Sequence, residues 1–505
     1  MARPLLGPEY VVDCGDVQGI VLRGYGELPV ARFVMLDLGD AREAKSWLGD
    51  VATRVTSARE EPAERCTNFG ISYRGLKKLG LDASVRAAFE PAFAEGMHGG
   101  PELDDGASPA SGSREPSRRS RALHDLDDQS PDRWAWGGPS APVDAILLLY
   151  ARSDDAMREC LDRERGSFSA RGIRAVTILE GVTLPGRKEH FGFRDGISQP
   201  ALRNANPPTE RPGVLEADRD ENTAEPGEFL LGYPDAYAQI EDGPLVPESA
   251  DPSRILPLAI DDAAGARSLG RNGSYLAFRQ LEQDVAAFWT TIDRAANGDA
   301  AERLRLAARM VGRWPSGAPL ALRDKEDDPS FLDRNDFGFA AEDALGLHCP
   351  IGSHIRRSNP RDFGGSGDPA RALVVSSRHR LIRRGRPYGA PLDPDLDPAK
   401  ILARSGSGES IDGGRGLQFL SFQAHLERQF EFVMESWIHN AKFGGGHDET
   451  DPLLGDRGDG FARFTVPARP VRRRLGSLPR FVSVRGGAYF FVPGLRALRW
   501  LASGA

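Results

Sequence analysis

Apolar residues along this chain recur in two kinds of run. RFVMLDLG (32–39) is continuous and short, which predicts a buried strand. DAREAKSWLGDVATRV (40–55) then places apolar side chains at Ala44, Trp47, Leu48 and Val51, the spacing of one helix face, with Asp40 as its N-cap. SVRAAFEPAFAEGM (84–97) has helical composition broken at Pro91. DAILLLYA (144–151) and AVTILEGVTL (175–184) predict strands around a helix in AMRECLDRERGSF (156–168). The pattern restarts at GSYLAFRQL (273–281), a strand, followed by helices in DVAAFWTTIDRAA (284–296) and ERLRLAARMVGRW (302–314). RALVVSSRHRLIRRG (371–385) and GLQFLSFQ (416–423) predict strands. HLERQFEFVMESWIHN (425–440) predicts a helix with a stripe at Leu426, Phe430, Val433 and Trp437. AYFFVP (488–493) is a last strand and LRALRWLA (495–502) a terminal helix.

Two stretches break the pattern. Residues 99–133 are rich in Gly, Ser, Pro and mixed charge and predict a long exposed loop or partly disordered insertion. Residues 202–260 are rich in Pro and acids, with EFLLGY (228–233) as their one ordered piece, and the domain boundary is placed there. Neither half has the Gly-rich turn of a dinucleotide site. The strand–helix order near 32–55 returns at 273–296. That predicts an α+β fold of two similar domains, each an antiparallel sheet covered by helices, and suggests an internal duplication.

With 505 residues and 40 % apolar composition the chain can bury a sizeable core, and its 57 Gly and 37 Pro imply many turns. Lys and Arg number 65 against 73 Asp and Glu, a net charge of -8, which argues against a nucleic-acid partner. No apolar run reaches the roughly 18–20 residues of a membrane helix. The start, MARPLLGPEYVVDCGD, lacks a secretory signal, so a soluble, cytoplasmic protein is expected. Cys14, Cys66, Cys160 and Cys349 form no CxxC pair, which suits core residues in a reducing compartment.

Three segments carry candidate chemistry. In EHFGFRDGISQPA (189–201), Asp195 stands among Phe191, Phe193 and Ile197, and Gly192 and Gly196 let the backbone approach a partner closely. A carboxylate in an apolar setting is a candidate acid or base, although an Asp-Gly turn explains the dipeptide alone. In LHCPIGSHIRRSNPRD (347–362), His348 and His354 lie near Arg356, Arg357 and Arg361. No second ligand sits at zinc spacing. A lone histidine suits haem iron, whose in-plane ligands come from the porphyrin, and arginines suit its propionates. A loop histidine beside a solvated basic run is the plainer alternative. In SSRHRLIRRGRPYG (376–389), strand alternation puts His379, Leu381 and Arg383 on one face and Arg384 on the other. An inward arginine can stabilise developing negative charge, while an edge strand guarded by basic residues is the competing reading.

Taken in order, FGFRDG, HIRRSNPR and RRGRPYG resemble the signature, proximal-histidine and distal-arginine segments of the dye-decolourising peroxidases. The likeness extends to WAWGG (134–138), GEFLLGYP (227–234), NGSYLAFRQL (272–281), GLQFLSFQ (416–423) and RGGAYFFVP (485–493), spanning roughly 15–500. It implies two ferredoxin-like α+β domains, 1–235 and 236–505, with haem b held mainly in the second. It also implies a peroxidase that reduces hydrogen peroxide and oxidises dyes, phenols or other aromatic donors by one-electron steps. By the same resemblance His354 is the axial iron ligand, with His379 as its rival, Asp195 the distal acid–base and Arg383 the distal arginine. Gly196, Ile197, Leu417 and Phe419 border the cofactor, and Arg361 is a candidate propionate partner. Glu431 is a candidate acceptor for the free nitrogen of His354, against a reading as an exposed helix residue. A relay of Trp or Tyr, with Trp437 and Tyr388 nearest in sequence, would serve large donors. No membrane or nucleic-acid partner is expected, and a homo-oligomer is left open. The alternative reading is a haem-binding protein for haem handling or sensing with incidental peroxidase activity.

Overall fold

The computed structural model describes residues 10–99, 116–205, 222–241, 243–260, 265–364, 367–406, 414–455 and 462–503. Four strands belong to the first half: β1 (Val30–Asp37), β2 (Arg65–Ile71), β3 (Ala145–Ala151) and β4 (Arg174–Gly181). Five belong to the second: β5 (Ser274–Gln283), β6 (Ile382–Arg383), β7 (Arg386–Tyr388), β8 (Gly416–Gln423) and β9 (Val482–Val492). Together they form one nine-stranded sheet in the order β6-β8-β5-β9-β2-β3-β1-β4, with β7 also on β8, and every pairing is antiparallel. Within each half the strands lie in the order second, third, first, fourth, which is what two ferredoxin-like domains require. The halves meet where β9 pairs with β2, Phe491 opposite Ile71.

The sheet divides two apolar cores, which explains why its strands read as continuous rather than alternating runs. On β3, Ala145, Leu147, Leu149 and Ala151 face one core, and Ile146, Leu148 and Tyr150 face the other. The helix Ala41–Ala52 begins at Asp40, whose carboxylate accepts from the backbone N–H of Arg42 and Glu43 at 2.9 and 3.1 Å. It buries Ala44, Trp47, Leu48 and Val51, as the spacing predicts. The terminal helix Leu495–Ser503 returns to the first half, where Leu495 N–H donates to the Asp16 carbonyl at 2.8 Å.

Four expectations need correction. The strand expected over 371–385 is a helix, Pro369–Ser377, followed only by the short β6. Asp368 caps it by accepting from Ala370 and Arg371 N–H, and Pro369 sits at its first position, where no N–H is needed. These start signals outweigh the β preference of Val374 and Val375. The helix over 425–440 has π winding, Leu426–Glu431 and Val433–Ile438. The wider turn carries the buried stripe through Leu426, Phe430 and Val433 to Ile438 and leaves Trp437 half-buried. The 99–133 insertion is not simply an exposed loop. Its middle lies outside the described residues, but 116–133 holds a helix, Arg118–Ala122, with Arg119, Ser120 and Asp125 buried. The described parts of 202–260 hold more order than EFLLGY alone. Ala201–Leu202 pairs with Thr223–Ala224, and Leu245–Val246 with Arg267–Ser268. Among the described residues no helix is long and apolar enough to cross a membrane.

Candidate functional site

Residues 187–195 fold back on themselves. Lys188 bridges Arg194, Glu189 N–H donates to the Phe193 carbonyl at 2.9 Å, and Asp195 N–H donates to the Arg187 carbonyl at 3.0 Å. Gly192 turns the loop at a φ of 94°, in the left-handed region that glycine adopts without strain. Phe191 stacks on Phe288 and Phe193 on Trp289, so the rings are spent on the helix Val285–Ala295. Both also border the cavity that Asp195 faces, where the Asp195 side chain is 40 % exposed. Its Oδ1 accepts from Gly196 N–H at 2.6 Å. The apolar setting expected around Asp195 is the wall of this cavity, which Phe191, Phe193 and Ile197 all border, and it leaves the carboxylate partly exposed.

His354 opens the short helix His354–Ser358. Its Nδ1 lies 2.9 Å from Asp451 Oδ2. Asp451 is fully buried, and its other oxygen accepts from Leu453 and Leu454 N–H, each at 2.8 Å. Burial pulls the His354 pKa down, but the charge and hydrogen bond of Asp451 outweigh it and the net shift is upward. With Nδ1 taken, Nε2 is the nitrogen left for a metal. Glu431 does not play that part. It is buried with its Oε1 accepting from Arg119 Nε at 2.5 Å and from the Tyr489 hydroxyl at 2.8 Å. Its position beside the stripe is right, but its carboxylate is taken by Arg119 and Tyr489 and does not line the cavity that His354 borders.

Arg383 and Arg384 separate as strand parity requires. Arg383 borders the cavity, its Nη1 3.6 Å from Asp195 Oδ1, and its backbone N–H donates to Gln199 Oε1 at 2.8 Å. Arg384 points away and donates to the carbonyls of Ile20 and Val21 at 3.1 and 3.0 Å. His379, the rival ligand, follows the helix rather than lying in a strand. It stacks on Phe432 at 3.8 Å and on the edge of Trp437, with Nδ1 at the Arg428 carbonyl, outside the cavity wall. His348 is likewise outside it, 3.8 Å from Asp324.

The cavity lies between the Asp195 loop and His354, walled by apolar groups that include Ile197, Leu417, Phe419 and Phe430. Gly196 and Arg361 also border it. Arg356 and Arg357 do not. Both are buried, Arg356 between the Phe339 and Phe363 rings and Arg357 donating to the carbonyls of Gly352, Trp437, Asn440 and Glu449. They brace the His354 helix rather than serve an anion. Arg361 is itself tied to Asn335 and the Phe337 carbonyl. Beside it stands Arg380, which the sequence reading missed. Burial, with Arg361 and Arg383 nearby, pushes its pKa down to about 9.

The residues present fit haem. One imidazole has its second nitrogen held by a carboxylate. Among the described residues no group of three or more His, Cys, Asp or Glu could hold a bare metal ion. Three arginines gather at one cavity edge, where two carboxylates of a guest would find partners. Asn359 Oδ1 is buried on the same wall with no hydrogen-bond partner among the described residues. Asp451 and Glu189 were also missed. Asp451 stands 97 positions from His354, so no local pattern joins them. Glu189 heads the very motif that was read, but only the folded loop shows its carboxylate turned inward.

No protein-family model matches the chain. Curated relatives do. A dye-decolorizing peroxidase of Mycetinis scorodonius is 29 % identical over 97 % of this chain and 87 % of its own. One of Mycena epipterygia is 34 % identical over 74 % of this chain and 69 % of its own. Among solved structures, a dye-decolorizing peroxidase in complex with 2,6-dimethoxyphenol superposes with a TM-score of 0.72 at 26 % identity, covering 97 % of this chain and all of the other.

Proposed function

The chain belongs to the dye-decolourising peroxidase family and is a haem b enzyme acting on hydrogen peroxide, and on that basis we propose that Asp195, Arg383 and His354 carry its chemistry. The observation that supports this most is their placement: Asp195 and Arg383 are 3.6 Å apart on the cavity wall that also holds His354 with its Asp451 partner. When bound, haem would supply the iron at which peroxide is reduced and to which donors give up electrons one at a time.

His354 would hold the iron through Nε2, and Asp451 fixes the ring's orientation and tautomer and would make it more electron-donating. Asp195 takes a proton from hydrogen peroxide at its carboxylate and returns it to the departing oxygen, so that water leaves. Its partial exposure leaves room for peroxide beside it. Arg383 balances the negative charge that develops as the O–O bond breaks, and Gln199 holds its backbone in place. Arg361 and Arg380 would receive the propionates, and Leu417, Phe419 and Ile197 line the cavity with apolar surface that would exclude water. Phenols such as the 2,6-dimethoxyphenol bound by the solved relative are the donor class expected here. The strand partition supports a division into 1–235 and 236–505, because β1–β4 fall wholly before it and β5–β9 after it. Four free, buried cysteines support a reducing, cytoplasmic setting.

The test is an absorbance spectrum of the haem-loaded protein before and after peroxide. A Soret band that shifts on mixing and returns with a phenol is expected. His354→Ala should abolish the axial bond and deplete haem, whereas His379→Ala should leave both. An unshifted Soret band in fully loaded protein would overturn the assignment.

A further inference from the structure

Glu189 lies at the base of the Asp195 loop and borders the cavity. Its Oε2 accepts from Phe191 N–H at 2.9 Å and from Gln283 Nε2 at 2.6 Å, and its Oε1 accepts from Phe193 N–H at 3.0 Å. Both carboxylate oxygens are thus occupied, two of the three bonds going to the backbone of the segment that turns at Gly192 and ends at Asp195. The backbone of the same loop is closed by only a few bonds of its own, among them Gly192 N–H to the Glu189 carbonyl at 2.9 Å and Asp195 N–H to the Arg187 carbonyl.

We propose that Glu189 is a positioning residue for the peroxide step: its ionised carboxylate clamps the amides of Phe191 and Phe193 and so sets where Asp195 stands. The inference rests on the acid–base role given to Asp195. An ionised carboxylate only accepts, so it matches three facing donors. A glutamine turns one oxygen into an NH2 donor that faces an amide N–H, and one of the two loop bonds is lost; the neutral acid loses the charge that strengthens both bonds and holds the loop more weakly. A shift of about an ångström in a reacting group is enough to cost on the order of a hundredfold in rate.

Burial, against the three bonds, raises the Glu189 pKa to about 7. The clamp therefore changes state near neutrality. Asp195 faces it from its own loop, while Arg194, also on the cavity wall, pairs with Asp333. Arg313, from the turn after the helix Ala300–Val311, Arg380, leading into β6, Arg383 in β6, and Arg361 with His354 share the cavity wall. The Asp195 charge opposes ionisation of Glu189.

The experiment combines amide hydrogen exchange with the pH profile of the peroxide reaction in haem-loaded protein. Wild type should show an acid limb near neutrality in the peroxide rate constant. In Glu189→Gln that limb should vanish, with the rate about tenfold or more below the wild-type plateau. Exchange at Phe191 and Phe193 should quicken by about tenfold, the equivalent of one lost bond to a charged group. A retained limb with unchanged protection overturns the proposal. A slower rate with unchanged protection overturns it too, because the loop would not be the route. Should Glu189→Gln fail to fold, Gln283→Met decides. It removes a donor to the carboxylate and must move the limb to higher pH, and an unmoved limb overturns the proposal. Failure of the Asp195 role shows separately, as an Asp195→Asn variant with full activity.

Discussion

Asp195 and His354 are each held by one backbone arrangement and one partner, and substitutions there separate chemistry from cofactor binding. Asp195→Asn keeps the hydrogen bond from Gly196 N–H but cannot take a proton. Stopped-flow mixing with peroxide should show a loss of about 10²–10⁴-fold, the usual worth of general acid–base catalysis, at unchanged haem content. Asp451→Asn keeps the shape of the His354 partner and removes its charge. The iron reduction potential should rise, since the imidazole becomes a poorer electron donor, and haem affinity or activity should fall by about 10–100-fold. Potentiometry under a haem-saturated condition checks the first, and haem transfer to an apo-globin the second.

At the scale of elements, the insertion and the π-wound helix act as one unit. Arg119 joins Glu431 at 2.5 Å and Glu95 at 2.8 Å, and the Tyr489 hydroxyl from β9 reaches the same Glu431 oxygen. Arg279 pairs with buried Asp125 beside it. Arg119→Met leaves Glu431 buried with Tyr489 alone and should cost about 3 kcal/mol, the scale of a broken buried pair. Adding Glu431→Gln should restore part of it, because the uncompensated charge is gone. Urea denaturation of both variants measures this. Most of the regular helices and long strands were legible in sequence, because burial of one helix face, or of both strand faces, writes itself as spacing; β2 was not, since the buried Thr67 and Asn68 interrupt its apolar run. The helix Pro369–Ser377 was not, since Asp368 and Pro369 set its start while its β-branched residues argued for a strand. The π winding was not either, because Leu426, Phe430 and Val433 suit both windings and only Ile438 distinguishes them.

Across the whole molecule the sheet acts as a partition that buries carboxylates and imidazoles alike. Burial pushes Glu90, Glu189 and Glu228 each up to about 7. Between their ordinary value near 4.5 and 7 the folded chain keeps protons that the unfolded chain releases, so these groups weaken the fold as pH rises. Burial pulls His190 and His425 down to about 4, which has the opposite effect and is complete by about 6.5. The acids outnumber these histidines and act alone in the last half unit. The urea midpoint of the haem-loaded protein should therefore be lower at about pH 8 than at about pH 6, and an equal or higher midpoint at pH 8 would contradict these assignments.

The sequence by itself determined most of the strand and helix order, because burial writes itself as local spacing, and it marked the three site segments through their resemblance to a known family, with strand parity agreeing on Arg383 over Arg384. Tertiary structure alone decided which acid serves His354, which arginines border the cavity, and that Glu189 closes on the loop it precedes. Those outcomes depend on side chains brought together from distant elements: Asp451 reaches His354 across 97 positions and Arg119 reaches Glu431 across 312. A periodic pattern records which face a residue turns inward, and not which partner waits there.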